Sequence, residues 1–147
     1  MLFATKPKNF QPIDQIVTMA LLVGPQVLVL YRHPEKPHPL RWSLPGGKVK
    51  RGVPITRQLL LTEALREVKE ETGIVLSVEQ CDGPRSWFIR YPEGDYQYHQ
   101  FVVRLADKPE VMLNPVEHVT HRWPIWEQLL QMKYIEDLDG VLRDIMA

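Results

Sequence analysis

The stretch REVKEETGI, from Arg66 to Ile74, carries the pattern that decides the fold. An α-helix has 3.6 residues per turn, and Glu70 and Glu71 follow Glu67 by three and four positions, so the three carboxylates share one face. The opposite side is apolar, with Leu61, Leu65 and Val68 at helical spacing. The stretch therefore predicts a helix with one face packed inward and one acidic face.

The acidic face repels itself and so indicates a bound cation. Glu63 and Glu67, and likewise Glu67 and Glu71, are four residues apart, a spacing at which like charges cost roughly 0.2–0.5 kcal/mol per pair. Mg²⁺ is typically held by one or two carboxylates, with waters and substrate phosphates completing its coordination. The alternative is an acidic face exposed to solvent, which predicts no affinity for Mn²⁺.

Residues upstream predict how the helix begins and what it faces. Thr56 is a candidate N-cap, and Gly73 is a candidate left-handed C-cap. Before the helix lies Leu44-Pro45-Gly46-Gly47-Lys48, which predicts a turn after the short extended piece Trp42–Leu44. Paired glycines let the backbone come close to a metal ion or a phosphate.

Together the two motifs resemble the signature of the Nudix hydrolases, G-x5-E-x7-R-E-U-x-E-E-x-G-U with U apolar. The second half matches at every fixed position, from Arg66 to Ile74. The first half departs from the pattern. If Gly47 is the signature glycine, Val53 replaces the first glutamate and five extra residues precede Arg66; if it is Gly52, the spacing holds and Gln58 replaces that glutamate. We favour Gly47, because Trp42-Ser43-Leu44 and the Pro-Gly-Gly setting also resemble the family.

The resemblance implies a MutT-like pyrophosphohydrolase that requires Mg²⁺ or Mn²⁺. Its substrate would be a nucleoside diphosphate linked to another moiety: a nucleoside triphosphate, a dinucleoside polyphosphate or a nucleotide sugar. The missing first glutamate mostly braces the loop in the family, so its loss puts loop geometry in doubt more than metal binding. The implied metal ligands are Glu67, Glu70, Glu71 and the Gly47 carbonyl; the catalytic residues are Glu67, Glu70 and Glu117; the phosphate contacts are Arg32, Arg41 and Lys48; and Arg66 braces the acidic helix.

The rest of the chain predicts one α+β domain over residues 1–147. Gln15–Val23 and Gln26–Arg32 are apolar segments separated by Gly24-Pro25, which predicts two paired strands. Further strands are predicted at Ile74–Val78, in a hairpin of Ser86–Tyr91 with Tyr96–Leu105, and near His121–Trp123; one or two helices are predicted over Pro124–Met132 and Ile135–Met146. Regular βαβ alternation is missing, which favours an α+β sandwich with a mixed sheet. The family resemblance implies that this is a Nudix-like α/β/α sandwich with the mixed β-sheet between helices.

Charge and composition exclude several classes of protein. The 18 basic and 18 acidic residues give zero net charge, which argues against a general DNA or RNA binder. Residues 32–57 nevertheless hold seven basic residues and one acidic residue, whereas residues 58–147 hold nine and sixteen. One cysteine, no apolar run long enough for a membrane span and no secretory signal pattern predict a cytoplasmic protein. The family resemblance also allows a homodimer.

Some candidate residues and functions have competing interpretations. His118 and His121 form an H-x2-H pair beside Glu117, but no cysteine or further histidine has the spacing of a zinc site. Alternating aromatic residues could stack on a nucleobase, although such residues more often pack a sheet face; they include Trp87, Tyr91, Tyr96, Tyr98 and Phe101. The chain could also be a nucleotide-binding or regulatory module that keeps the fold but is catalytically weak or inactive.

Overall fold

The computed structural model of the protein describes residues 1–135 and 137–146. It contains nine strands and three α-helices in these residues. In chain order they are β1 (Leu2–Phe3), β2 (Pro12–Val23), β3 (Gln26–Val27), β4 (Val29–Arg32), β5 (Trp42–Ser43), β6 (Gly46–Lys48), α1 (Arg57–Thr72), β7 (Cys81–Tyr91), β8 (Gly94–Leu105), β9 (His118–Arg122), α2 (Trp126–Leu129) and α3 (Leu138–Met146).

A mixed sheet built around β2 forms the centre of the molecule. Strand β2 runs parallel to β8 along its length and antiparallel to β3 and β6. Strands β7 and β8 form the predicted antiparallel hairpin, and β1 adds to the far edge of β7. A second, smaller sheet has the order β5-β4-β9.

Alternation along β2 divides the core into two layers. Val17, Met19 and Leu21 join the apolar cluster under α1, whereas Ala20 and Leu22 join a second cluster under α2 and α3. Successive side chains of a strand point to opposite faces, so one central strand supports helices on both sides. The predictions of an α+β class and of a mixed sheet between helices are confirmed.

Helix α1 begins and ends where the sequence predicts. The Thr56 hydroxyl accepts a hydrogen bond from the Leu59 backbone N–H at 3.1 Å, and Gly73 has a φ of 73°. A capping side chain of this kind stabilises a helix by about 1 kcal/mol. The buried side of α1 is apolar apart from its last turn, where Glu71 and Thr72 are also buried.

Three predictions about the strands need correction. The predicted strand at Ile74–Val78 is wrong, since this segment is irregular and leads into a 3-10 turn at Val78–Gln80; Ile74 packs into the core without a paired strand. Gly46–Lys48 forms strand β6 rather than a turn, because its backbone pairs with β2. The predicted strand Gln26–Arg32 divides into β3, which pairs with β2, and β4, which pairs with β5 and β9.

The C-terminal part of the described chain forms two helices, α2 and α3. No helix within residues 1–135 and 137–146 combines the length and the apolar character that crossing a bilayer requires.

Candidate active site

Arg66 organises the exposed part of the acidic face of α1. Its guanidinium donates to Glu63 at 2.7 Å, to Glu67 at 3.0 Å and to both carboxylate oxygens of Glu70 at 2.9 Å. The hydrogen bonds that Arg66 donates to Glu63 and Glu70 hold the pKa of Arg66 well above its ordinary value. These ion pairs are the ones expected if Arg66 braces the acidic helix. Glu70 pairs with Arg66 at the surface, with 53% of its side chain exposed.

Strand β6 lies directly against the acidic helix through its two glycines. A Cβ atom on Gly47 would lie 2.6 Å from Oε1 of Glu67, and a Cβ atom on Gly46 would collide with the backbone carbonyl of Val17. Gly52, in contrast, has a φ of 82° and open space around it. The contact with Glu67 supports Gly47 as the counterpart of the signature glycine.

Glu71 is the buried carboxyl of the site. It is 4% exposed, and its Oε2 accepts a hydrogen bond from the Gly46 backbone N–H at 3.2 Å. Burial, reinforced by the nearby charge of Glu67, raises the pKa of Glu71 to about 9. Burial also raises the pKa of Glu67 above its ordinary value. Both shifts have the same physical cause, since burial and neighbouring carboxylates disfavour the charged form of each group.

His118, the first residue of β9, and Glu117, which precedes that strand, join Glu71. One ligand atom from each of Glu71, Glu117 and His118 can be chosen so that all three atoms lie within 4.8 Å of one another. His118 is 3% exposed, and burial, with a smaller effect of Arg32 and Lys36, lowers its pKa to about 4. His118 is thus a neutral imidazole at pH 7.

This cluster differs from the predicted ligand set. Within the described residues it includes Glu71 of that set, adds His118 and Glu117, which was predicted as a catalytic residue, and includes neither Glu67 nor Glu70. Sequence reasoning weighed His118 only as part of a zinc pair with His121, which the cluster does not include. The feature of the sequence that could have pointed to His118 is its position next to Glu117, which was itself a candidate site residue.

A cavity of about 280 Å³ is lined in part by β6, whose Gly46 backbone N–H donates to Glu71; the carboxylates of α1 are not among its described lining residues. Gly46, Gly47 and Lys48 form one wall, and Arg32 forms part of another. Tyrosines of β7 and β8, with residues of α3, line the side away from α1; these residues are Tyr91, Tyr96, Tyr98, Leu138 and Val141. The cavity therefore combines basic groups near the carboxylates with an aromatic and apolar interior.

The three predicted phosphate contacts occupy different positions. Arg32 lies close enough to Glu71 and Glu117 to interact electrostatically with both carboxylates. Its Nε donates a hydrogen bond to the Pro37 carbonyl at 2.7 Å. Lys48 lines the cavity with a largely exposed side chain. Arg41 is exposed and is not among the described residues that line the cavity.

The loop between β6 and α1 is held by contacts that the sequence did not reveal. Arg51 donates to both carboxylate oxygens of Asp14, at 2.8 and 3.1 Å, and Lys48 lies 3.5 Å from the same carboxylate. These cations lower the pKa of Asp14. Val53 packs against the apolar cluster under α1, and Gln58 is exposed. An ion pair and an apolar contact thus hold the loop that a glutamate would otherwise brace.

Comparison with protein families gives a match of the NUDIX domain model to residues 14–145. The chain belongs to the Nudix family. The predicted MutT-like Nudix hydrolase is thereby confirmed as the family of this enzyme. A search of curated protein sequences gave no match.

Solved structures of Nudix proteins share the fold. A MutT/nudix family protein from Enterococcus faecalis is 27% identical with a TM-score of 0.61, and the match covers 81% of this chain and 46% of that chain. The MutT protein from Methanosarcina mazei Go1 is 24% identical with a TM-score of 0.68, covering 92% and 91%. The NUDIX domain of Shewanella oneidensis NrtR, complexed with ADP ribose, is 18% identical with a TM-score of 0.70, covering 97% and 94%.

Replacing each of the two glycines of β6 by alanine is expected to have a different effect. Gly46→Ala is expected to lower the free energy of unfolding by about 2 kcal/mol or more, because the added Cβ meets the Val17 backbone. Gly47→Ala meets only the end of the Glu67 side chain, so we expect a smaller loss of stability together with weaker Mn²⁺ binding. Denaturant unfolding and calorimetric titration would measure both effects. Equal stability of the two variants would contradict this account of β6.

Proposed function

We propose that this Nudix protein is a divalent-metal-dependent pyrophosphohydrolase. Its substrate would be a nucleoside diphosphate linked to another moiety. The observation that carries the proposal is the position of β6, whose glycines line the cavity while the Gly46 backbone N–H donates to the buried carboxyl of Glu71. A diphosphate in this part of the cavity would lie between basic groups and carboxylates.

The residues present fit a divalent cation. Glu71 is a buried carboxyl with a strongly raised pKa, and no positively charged group donates a hydrogen bond to it within the part of the chain described. Glu67 and the Gly47 carbonyl lie next to it and would supply further oxygen ligands; Glu70 would join them on leaving Arg66. When bound, the ions neutralise charge on the diphosphate and lower the pKa of a coordinated water.

The remaining residues would bind the phosphates and orient the water. Arg32 and Lys48 lie at the cavity wall, where cations make charge-assisted hydrogen bonds to phosphate oxygens. Glu117, beside Glu71, would orient the water that attacks phosphorus and accept its proton. Attack breaks one P–O–P bond and leaves a phosphate group on each product.

The cavity suits one portion of a nucleotide substrate. Its volume of about 280 Å³ lies near the lower end of the usual range for small-molecule sites. The tyrosines that line it offer aromatic faces for a nucleobase. Nucleoside triphosphates, dinucleoside polyphosphates and nucleotide sugars all present such a portion next to a diphosphate.

A substrate panel with product identification in Mg²⁺ and in Mn²⁺ tests the proposal. We expect cleavage within the diphosphate, for example of ADP-ribose to AMP and ribose 5-phosphate. A second candidate, a nucleotide-binding module without turnover, is favoured by Val53 in place of the signature glutamate. That candidate predicts thermal stabilisation by nucleotides without cleavage of any member of the panel.

Replacing Lys48 and replacing Arg41 by alanine are expected to affect substrate binding differently. Lys48→Ala is expected to raise KM by about tenfold, the effect of roughly 1.4 kcal/mol of lost phosphate interaction. Arg41→Ala, the matched loss of one positive charge outside the cavity lining, is expected to change KM by less than about twofold. Steady-state kinetics on the best substrate of the panel would measure both. Equal effects would show that only the general charge matters.

Three further statements stay predictions from the sequence: a single domain over residues 1–147, a cytoplasmic location, and a homodimer that does not bind DNA. Size-exclusion chromatography with light scattering would determine the oligomeric state, and a gel-shift assay would test DNA binding.

A further inference from the structure

His118 has an unusual environment for a buried polar side chain. It is 3% exposed, and neither ring nitrogen has a hydrogen-bond partner among residues 1–135 and 137–146. Most buried polar side-chain atoms in native proteins have a partner, and an exception points to a ligand or an ion. The two free nitrogens of His118 are therefore evidence independent of the acidic residues near it.

The groups around His118 are suited to a cation. Glu71, from the last turn of α1, and Glu117, from the loop before β9, each place a carboxylate oxygen within 4.8 Å of a His118 nitrogen. Ligand bonds of about 2.1 Å separate the atoms around one ion by up to about 4.2 Å. Small side-chain rotations would therefore bring all three groups onto one ion.

The positively charged side chain of Lys36 already lies beside Glu117. The Lys36 ammonium lies 3.7 Å from Oε1 of Glu117, and about a third of each side chain is exposed. A contact of that length between partly exposed groups is weak. Lys36 can turn into solvent when a divalent ion binds, which leaves one oxygen of Glu117 for the ion and the other for water.

We propose that His118 is a nitrogen ligand of a divalent transition-metal ion that it shares with Glu71 and Glu117. The site would then prefer Mn²⁺ and other transition-metal ions over Mg²⁺. Mg²⁺ is a hard cation that binds oxygen ligands, whereas imidazole favours transition metals. This inference rests on the proposed function in that the ion is one that the enzyme would use, and it adds the nitrogen ligand and the metal preference.

Electron spin-echo spectroscopy of the protein loaded with Mn²⁺ tests the nitrogen ligand directly. We expect a ¹⁴N coupling in the unaltered protein, its loss in His118→Gln, and its retention in His121→Gln. His121 is the matched control because it lies on the same strand and outside the cluster. Calorimetric titration should show a Kd for Mn²⁺ raised about tenfold or more in His118→Gln, with the Kd for Mg²⁺ changed by less than about twofold.

Several results would overturn the proposal. They are a lack of ¹⁴N coupling in the unaltered protein, its retention in His118→Gln, or equal losses of Mn²⁺ and Mg²⁺ affinity. If His118→Gln does not fold, His118→Asn takes its place, and the spectrum of the unaltered protein alone still decides whether nitrogen is bound. Hydrolysis without ¹⁴N coupling would refute this inference and keep the proposed function, whereas ¹⁴N coupling without hydrolysis of any substrate would do the reverse.

Discussion

Glu71→Gln is expected to lower kcat/KM for diphosphate hydrolysis by at least about 100-fold, since changes to the partners of metal ligands alone cost 10–100-fold. The carboxylate would be lost at the most buried carboxyl group of the acidic helix, beside Glu117 and His118. Glutamine has nearly the same shape, and its amide oxygen can still accept the hydrogen bond from Gly46. We therefore expect a folded protein that binds Mn²⁺ poorly, as steady-state kinetics and calorimetric titration would show.

Glu63→Gln is the matched control for this change. Glu63 lies on the same helix and allows the same substitution, but its partner is Arg66 and, within the described chain, it is outside the cluster of Glu71, Glu117 and His118. We expect its kcat/KM to stay within about threefold of the unaltered enzyme, as for loss of one surface ion pair. Near-normal hydrolysis by Glu71→Gln would refute the assignment of Glu71 to the metal.

The metal-free protein is expected to lose stability as the pH rises from 7 to 8.5. The pKa of Glu71 is about 9 in the folded protein, against an ordinary value of 4.5. Between these values the folded state holds a proton that the unfolded state has released, so folding becomes less favourable as the pH increases. The free energy of unfolding should fall by up to about 1.4 kcal/mol per pH unit.

This pH range separates the effect of Glu71 from that of the buried histidines. Burial lowers the pKa values of His99 and His118 to about 4, so these residues reduce stability only as the pH falls below about 6.5. Urea unfolding in excess chelator would measure the slope. Glu71→Gln should remove most of it, and saturating Mn²⁺ should make it shallower because the ion binds the deprotonated carboxylate. A slope unchanged in Glu71→Gln would contradict the assignment.

The sequence predicted the features that depend on local interactions. Helix α1 follows from its caps at Thr56 and Gly73 and from its apolar spacing, and the β7–β8 hairpin follows from alternation around a turn. The acidic face was predictable for the same reason, since helical geometry alone places Glu67 and Glu71 on one side.

Features that depend on distant parts of the chain were not predictable. Gly46 and Gly47 form a strand only because β2 lies alongside and pairs with them. His118 reaches Glu71 from another element, and no spacing within the sequence links the two. Asp14 gains its importance in the same way, by meeting Arg51 across the fold.

The alternation of β2 also bears on how the enzyme could acquire new substrates. The carboxylates are fixed by α1 and by glycines that no larger residue replaces without a collision, whereas the cavity interior is built from tyrosines on the other face of the sheet. Substitutions at Tyr91 and Tyr96 would therefore leave unaltered the groups that we propose perform the chemistry, whereas Tyr98 also belongs to the buried core. Laboratory evolution confined to Tyr91 and Tyr96 would change selectivity while inheriting an intact reaction centre.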